Sequence, residues 1–296
     1  MKRGVVIGIA AGALAVLVAA GAAWWLLSRP ATPEQTADAY LRALSEGDVD
    51  AIQGLLGAPL DEVAIQAFAG ADGYLDSYEF AVRSDGSVHA EVELGGEPAT
   101  VDFVLSAEDG GWKVDADALA SLEVTTTIGD SVRVGGALTP AGEVRLLPAV
   151  YTITAAPAGL VEGVLAATVA DGADTTAALT ASVSSAGVEA AQEQVDAYVA
   201  ECARAVTGVP PHCGLRVPWA ADLATLDRIA FRVEASPVLA LAADARTFAA
   251  TDGVVVATAT GTTRAGTAAS FTYRAEDWAL RGTVSFRRDE MILAVG

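Results

Sequence analysis

The spacing of apolar and polar positions changes period along this chain, and each change marks a segment. From Pro33 to Ala69 apolar residues recur at helical intervals. Thr32-Pro33-Glu34-Gln35 is a helix start, with Thr32 as cap, Pro33 at the first helical position and Gln35 closing a capping box. Ala37, Tyr40, Leu41 and Leu44 form its apolar face, and Gly47 ends it. Asp48 caps a second short helix carrying Ile52, Leu55 and Leu56, and a third piece from Asp61 to Ala69 holds Val63, Ile65 and Phe68. After Gly73 the period becomes two. Val88, Ala90, Val92 and Leu94 alternate with His89, Glu91 and Glu93; Val101, Phe103 and Leu105 follow, and Trp112, Val114 and Ala116 share one face of a further strand. From Leu122 to Ser185 the pattern predicts strands only, punctuated by Gly, Pro and Asp. Gly187 opens a long helix whose apolar face is Val188, Ala191, Val195, Tyr198, Val199, Cys202 and Val206. Strands follow at 229–233, 254–260, 270–274, 282–287 and 291–295.

These elements predict an α+β fold. A helix-plus-antiparallel-sheet domain covers 31–121, a small all-β module 122–186, and a second helix-plus-antiparallel-sheet domain 187–296. Residues 1–30 are expected to be a transmembrane anchor. Gly4 to Leu27 carries no charge over 24 residues, about 36 Å as a helix against a bilayer core of about 30 Å. Lys2 and Arg3 precede the run, so the expectation is a single-pass cell-membrane protein with its N-terminus inside and its bulk outside. Trp24 and Trp25 fall where indoles favour the far interface. Ala20-Gly21-Ala22 also fits a signal-peptide cleavage site, but the apolar run continues past it. Gly4, Gly8 and Gly12 share a helix face that would let two copies pair, although a Gly/Ala-rich membrane helix generates this spacing by chance as well.

Composition narrows the partners. The net charge is −20, with 38 Asp and Glu against 18 Lys and Arg. Such a surface repels phosphate backbones, so no nucleic-acid partner is expected. The only lysines are Lys2 and Lys113, and the abundance of Ala, Gly and Arg fits the skew of high-GC bacterial genes. Ala richness is therefore a poor structural signal here.

The run Pro33-Glu34-Gln35-Thr36-Ala37-Asp38-Ala39-Tyr40-Leu41-Arg42-Ala43-Leu44, followed by Glu46-Gly47-Asp48-Val49-Asp50-Ala51, resembles the opening of a nuclear-transport-factor-2-like domain. Gly110-Gly111-Trp112-Lys113-Val114 is similar to that family's closing strand. The resemblance implies a cone-shaped fold, which in that family serves enzymes, ligand binders and inert spacers alike. In such a cone Tyr40, Tyr74 and Tyr78 would be the candidate ligand-lining residues, and core packing is the alternative for all three. Further on, Leu146-Leu147-Pro148-Ala149-Val150-Tyr151 resembles a Pro-turn-Tyr signature of β-modules in teicoplanin-resistance-associated membrane proteins and PEGA-type envelope domains, departing from it at Ala149.

Candidate chemistry is sparse. Cys202 and Cys213, the only cysteines, predict a disulfide in an exported chain. His89 falls on the polar side of a strand, His212 lies in a loop, and Asp115 and Asp117 read as solvated charge. No catalytic elbow, phosphate loop or metal-binding His pair occurs, so no catalytic residue, metal or cofactor is assigned. The expected role is a non-enzymatic, membrane-anchored interaction or scaffold module that binds an envelope protein or cell-wall component. The alternative is a small-molecule binder or sensor using the first-domain cone.

Overall fold

The computed structural model describes residues 31–108, 110–115, 118–170 and 175–296. They form two compact units, one built from 31–60 and 74–119, the other from 61–73, 120–169 and 175–296.

In the first unit, helices α1 (Pro33–Glu46) and α2 (Val49–Leu55) precede an antiparallel meander of β1 (Leu75–Val82), β2 (Ser87–Leu94), β3 (Glu97–Glu108) and β4 (Gly111–Val114). The α1 start is the capping box read from the sequence: Thr32 Oγ1 accepts from the Gln35 backbone and Gln35 Oε1 from the Thr32 backbone. Gly47 closes the helix in the left-handed region at φ 67°, as its lack of a Cβ allows. Ala37, Tyr40, Leu41 and Leu44 are fully buried, and Tyr40 meets Phe103 of β3 edge-on at 4.9 Å. Along β2 burial alternates, with Val88, Ala90, Val92 and Leu94 inside.

The second unit begins with α3 (Glu62–Ala69). Its neighbours are strands of the following β-rich segment. That segment contains β5 (Ala120–Thr126), β6 (Ser131–Val134), β7 (Ala137–Pro140), β8 (Gly142–Leu146), β9 (Ala149–Ala155), β10 (Val161–Glu162), β11 (Val164–Val169), β12 (Thr175–Leu179) and β13 (Ser182–Val183). One sheet runs β11-β9-β6-β7 and another β12-β5-β8, with β12 parallel to β5. Leu122, Val124, Val132, Leu146, Tyr151, Ile153 and Val169 are among the residues that fill the core. The buried Tyr151 hydroxyl donates to the Leu147 carbonyl at 2.7 Å. The Pro148 turn is what brings that carbonyl within reach.

Helix α4 (Ser185–Cys202) then leads to β14 (Thr225–Ala235), β15 (Val238–Leu241), β16 (Thr247–Thr262), β17 (Ala268–Arg287) and β18 (Glu290–Val295). The sheet order is β14-β16-β17-β18, with β15 also on β16. The β17–β18 turn docks on the β-rich segment: Arg133 bonds Asp289 at 2.7 Å and the Arg288 N–H donates to Asp130 at 3.2 Å. Hydrogen bonds from Ser131 and Arg288 hold the Asp130 carboxyl below its ordinary range.

Two expectations need correction. The fold is mostly β, not a balanced α+β: strand residues outnumber helical ones by more than two to one among the described residues. Two of the helices span only seven and eight residues. The strands at 270–274 and 282–287 are parts of one 20-residue strand, β17. Its pairing with β16 is irregular between Ala250 and Val255, and this broke the alternation that would have marked it as continuous. The second correction concerns the anchor. Among the described residues no helix is long and apolar enough to cross a membrane. Gly4, Gly8, Gly12, Trp24 and Trp25 lie outside the described residues.

Candidate interaction surfaces

The three tyrosines of the expected cone take separate roles in the first unit. Tyr40 is core, packed on Phe103. The Tyr74 ring lies over Gly47, so close that a Cβ there would fall 2.6 Å from it. Tyr78 donates from its hydroxyl to Asp38 at 3.2 Å, and Asp38 also pairs with Arg42. That hydrogen-bonded group raises the Arg42 pKa further above its ordinary value, chiefly through Tyr78 and then through the Asp38 charge.

The outer side of the same sheet has a different character. Strand register sets Glu79 of β1 directly opposite Glu91 of β2, and Ser77 opposite Glu93. On the next ladder Glu91 faces Thr100 and His89 faces Asp102. The His89 ring bonds Asp102 at 2.6 Å on the exposed surface. Glu79, Glu91 and Glu93 line an open hollow of about 800 Å³ together with Ser77, Tyr78 and Thr100. Like charges directly opposed across strands destabilise a sheet. Sequence alternation marked Glu91 and Glu93 as outward, but which residue of β1 would face them depends on register, and the residues between the strands did not reveal it.

In the second unit Cys202 and Cys213 are disulfide-bonded with Cα atoms 5.8 Å apart. The bond ties the end of α4 to a strap, residues 203–224. At a separation of 11 residues, closing so short a loop stabilises by about 3 kcal/mol. The strap is fixed further along. The Trp278 indole donates to the Cys213 carbonyl at 2.7 Å, and Tyr198 donates to the carbonyl of His212. Arg264 donates to the carbonyls of Ala220 and Ala221. Leu223 is thereby seated over Ile229, Ala257 and Ala259, with Trp219, Phe231 and Phe271 around them.

Tyr273 borders that cluster and donates to Asp222 at 2.7 Å. Its pKa is pushed up to about 12 by loss of solvent around the ring, and then by the Asp222 hydrogen bond and charge. A raised folded pKa means that this contribution to stability is fully present below the unfolded value of about 10. It is lost as pH rises through about 12. Proton NMR should show one tyrosine ring, absent in Tyr273→Phe, that titrates near about 12. A midpoint near the ordinary value of about 10 would mean that neither the loss of solvent around the ring nor the Asp222 bond persists in solution.

Asp115 donates its N–H to the Val104 carbonyl, and Asp117 lies outside the described residues. Among the described residues no group of three or more His, Cys, Asp or Glu side chains is placed to hold a metal ion. The chain matches no protein-family model, no curated protein and no solved structure.

Proposed function

We propose that this chain is a non-enzymatic interaction module of the bacterial cell envelope, with its body outside the cytoplasm. The disulfide supports the placement, because such bonds persist in oxidising compartments. The resemblance of the first unit to nuclear-transport-factor-2-like domains belongs to the same reading and rests on the motifs at 33–51 and 110–114.

The observation that carries the interaction role is the opposed pair Glu79–Glu91 on the wall of the open hollow. A neutral or oppositely charged pair would stabilise the sheet, so an exposed carboxylate pair is better explained by what it meets than by what it supports. The partner it fits is a positively charged segment of an envelope protein or an amine-bearing cell-wall component. Replacing Glu91 by Gln should raise stability to urea by about 0.5 kcal/mol. The same change should lower the yield of a partner crosslinked to the full chain on intact cells several-fold. A stabilised variant that captures its partner as well as the parent does would move the interaction to another face.

A further inference from the structure

Given the acidic-hollow reading above, on which this rests, we propose that the partner is an extended protein segment of alternating basic and apolar residues. It binds as an added strand along the free edge of β1.

β1 comes first in the order β1-β2-β3-β4, so only β2 pairs with it. Two bonds fix which of its backbone groups β2 uses. The Arg83 N–H donates to the Ser87 carbonyl at the hairpin, and the Leu105 N–H donates to the Gly86 carbonyl on the next ladder. Antiparallel neighbours exchange both bonds at every second residue. Ala81 and Glu79 therefore turn their N–H and C=O toward His89 and Glu91, while Val88, Ala90 and Val92 turn theirs toward β3. The N–H and C=O of Tyr78, Phe80 and Val82 point out of the sheet, and among the described residues no other backbone group bonds them. Burial stops along the same line. Val88, Ala90 and Val92 are buried, but their cross-strand neighbours Val82, Phe80 and Tyr78 are only half-buried.

A further strand would bury those three side chains under its own apolar residues. Its alternate residues then fall on the outer face, beside Glu79, which already faces Glu91. Basic side chains at those positions relieve the opposed carboxylates. A second copy of β1 is a poor occupant, since it would set another Asp76 and Glu79 against this row. Other edges lack the combination. The Gln192 and Gln194 amides cap β15 and β18, and the Gly57 N–H donates to Val114 of β4. β7, β11 and β12 carry no charged residue, and β14 presents Arg228 and Arg232, the wrong sign for a basic segment. At β8 Glu143 does face Glu123, but Arg145 follows on the same face and the Ser121 hydroxyl donates to Glu143.

The test is titration of the full chain with the synthetic peptide Lys-Val-Lys-Val-Lys-Val-Lys, followed by calorimetry and by amide exchange. Before peptide is added, the amides of Tyr78, Phe80 and Val82 should exchange fast and those of Glu79 and Ala81 slowly. Bound peptide should slow the first three about tenfold and leave the other two as they were. In antiparallel pairing the valines direct their N–H at β1 and the lysines direct theirs away. N-methylation of the valines should thus weaken binding about tenfold, and N-methylation of the lysines should leave it unchanged. Sensitivity at the lysines instead would mark a parallel strand on the same edge. Glu91→Gln should weaken the unmodified peptide several-fold. The proposal is overturned if the peptide does not bind, or if the two methylated peptides bind alike. It is also overturned if the outward amides are protected before peptide is added, which would put a second copy or another part of the chain on the edge. Methylated peptides that bind alike, yet are both weakened by Glu91→Gln, would remove the added strand and leave the acidic hollow as the docking surface. If Glu91→Gln changes nothing for any peptide, the hollow reading falls as well.

Discussion

Replacing Gln192 and Gln194 together by leucine is expected to destabilise the second unit by roughly 4 kcal/mol, although neither residue belongs to an apolar core. The reason lies in the geometry of α4. Its buried residues Gly187, Ala191, Val195, Val199 and Cys202 form one stripe. At about 100° per residue, Gln192 and Gln194 point about 80° to either side of that stripe. Each reaches a different edge of the sheet. The Gln192 amide donates to the Pro237 carbonyl and accepts from the Leu239 N–H, on β15. The Gln194 amide donates to the Met291 carbonyl and accepts from the Leu293 N–H, on β18.

A primary amide offers one donor side and one acceptor side, as a peptide group does. Each glutamine thus stands where a neighbouring strand would supply its own backbone, and the helix caps two edges that would otherwise expose unpaired groups. Leucine keeps the bulk and removes both bonds. Each single variant leaves a part-buried N–H and C=O without partners, at about 2 kcal/mol. Urea unfolding gives the sum, and amide exchange tells the edges apart. Gln192→Leu should accelerate exchange at Leu239 and leave Leu293 protected, and Gln194→Leu should do the reverse. If both amides stay protected in the double variant, packing of the apolar stripe alone holds the edges.

That arrangement also shows how far the sequence could be read. The start of α4 and the burial of Ala191, Val195, Val199 and Cys202 follow from periodicity, but the helix ends at Cys202, so Val206 of the expected apolar face lies beyond it and is exposed; Val188 is exposed as well, while Gly187 is buried. A Cβ at Gly187 would sit 2.3 Å from the Leu160 carbonyl oxygen, a contact 27 residues away that helical spacing does not encode. Gln192 and Gln194 look like ordinary solvent-facing positions until the strand edges are known. Local signals were legible where the physics is local: the Thr32 capping box, the Gly47 stop, the alternation of β2, and a cysteine pair close in sequence. Fold class was misjudged because caps and helical faces leave clear marks, whereas Ala- and Thr-rich strands such as β16 and β17 leave faint ones, interrupted at irregular pairings. The opposed Glu79 and Glu91 depend on strand register, so composition and spacing alone could not pair them.

The largest effect of a single methyl group is expected at Gly135. It sits in the two-residue turn between β6 and β7 with φ 53°, followed by Gly136 at φ 83°, a hairpin turn that calls for positive φ at both positions. The turn presses against the end of α3. A Cβ at Gly135 would lie 2.2 Å from the Ala67 carbonyl oxygen, and one at Gly70 would lie 2.1 Å from the Gly135 carbonyl oxygen. Both obstacles are backbone, so no side-chain rotation relieves them. Gly136 has the same kind of φ but nothing within 4 Å of its would-be Cβ. The three alanine variants therefore separate two costs. Gly136→Ala carries the left-handed backbone penalty alone, about 1–2 kcal/mol. Gly70→Ala carries the overlap alone, about 1–3 kcal/mol. Gly135→Ala carries both, roughly 3–5 kcal/mol. Equilibrium unfolding of the three should give that order, with α3 amides losing protection in the Gly70 and Gly135 variants only. If Gly135→Ala costs no more than Gly136→Ala, the helix is not held against the turn in solution, and residues 61–73 would belong to the second unit only loosely.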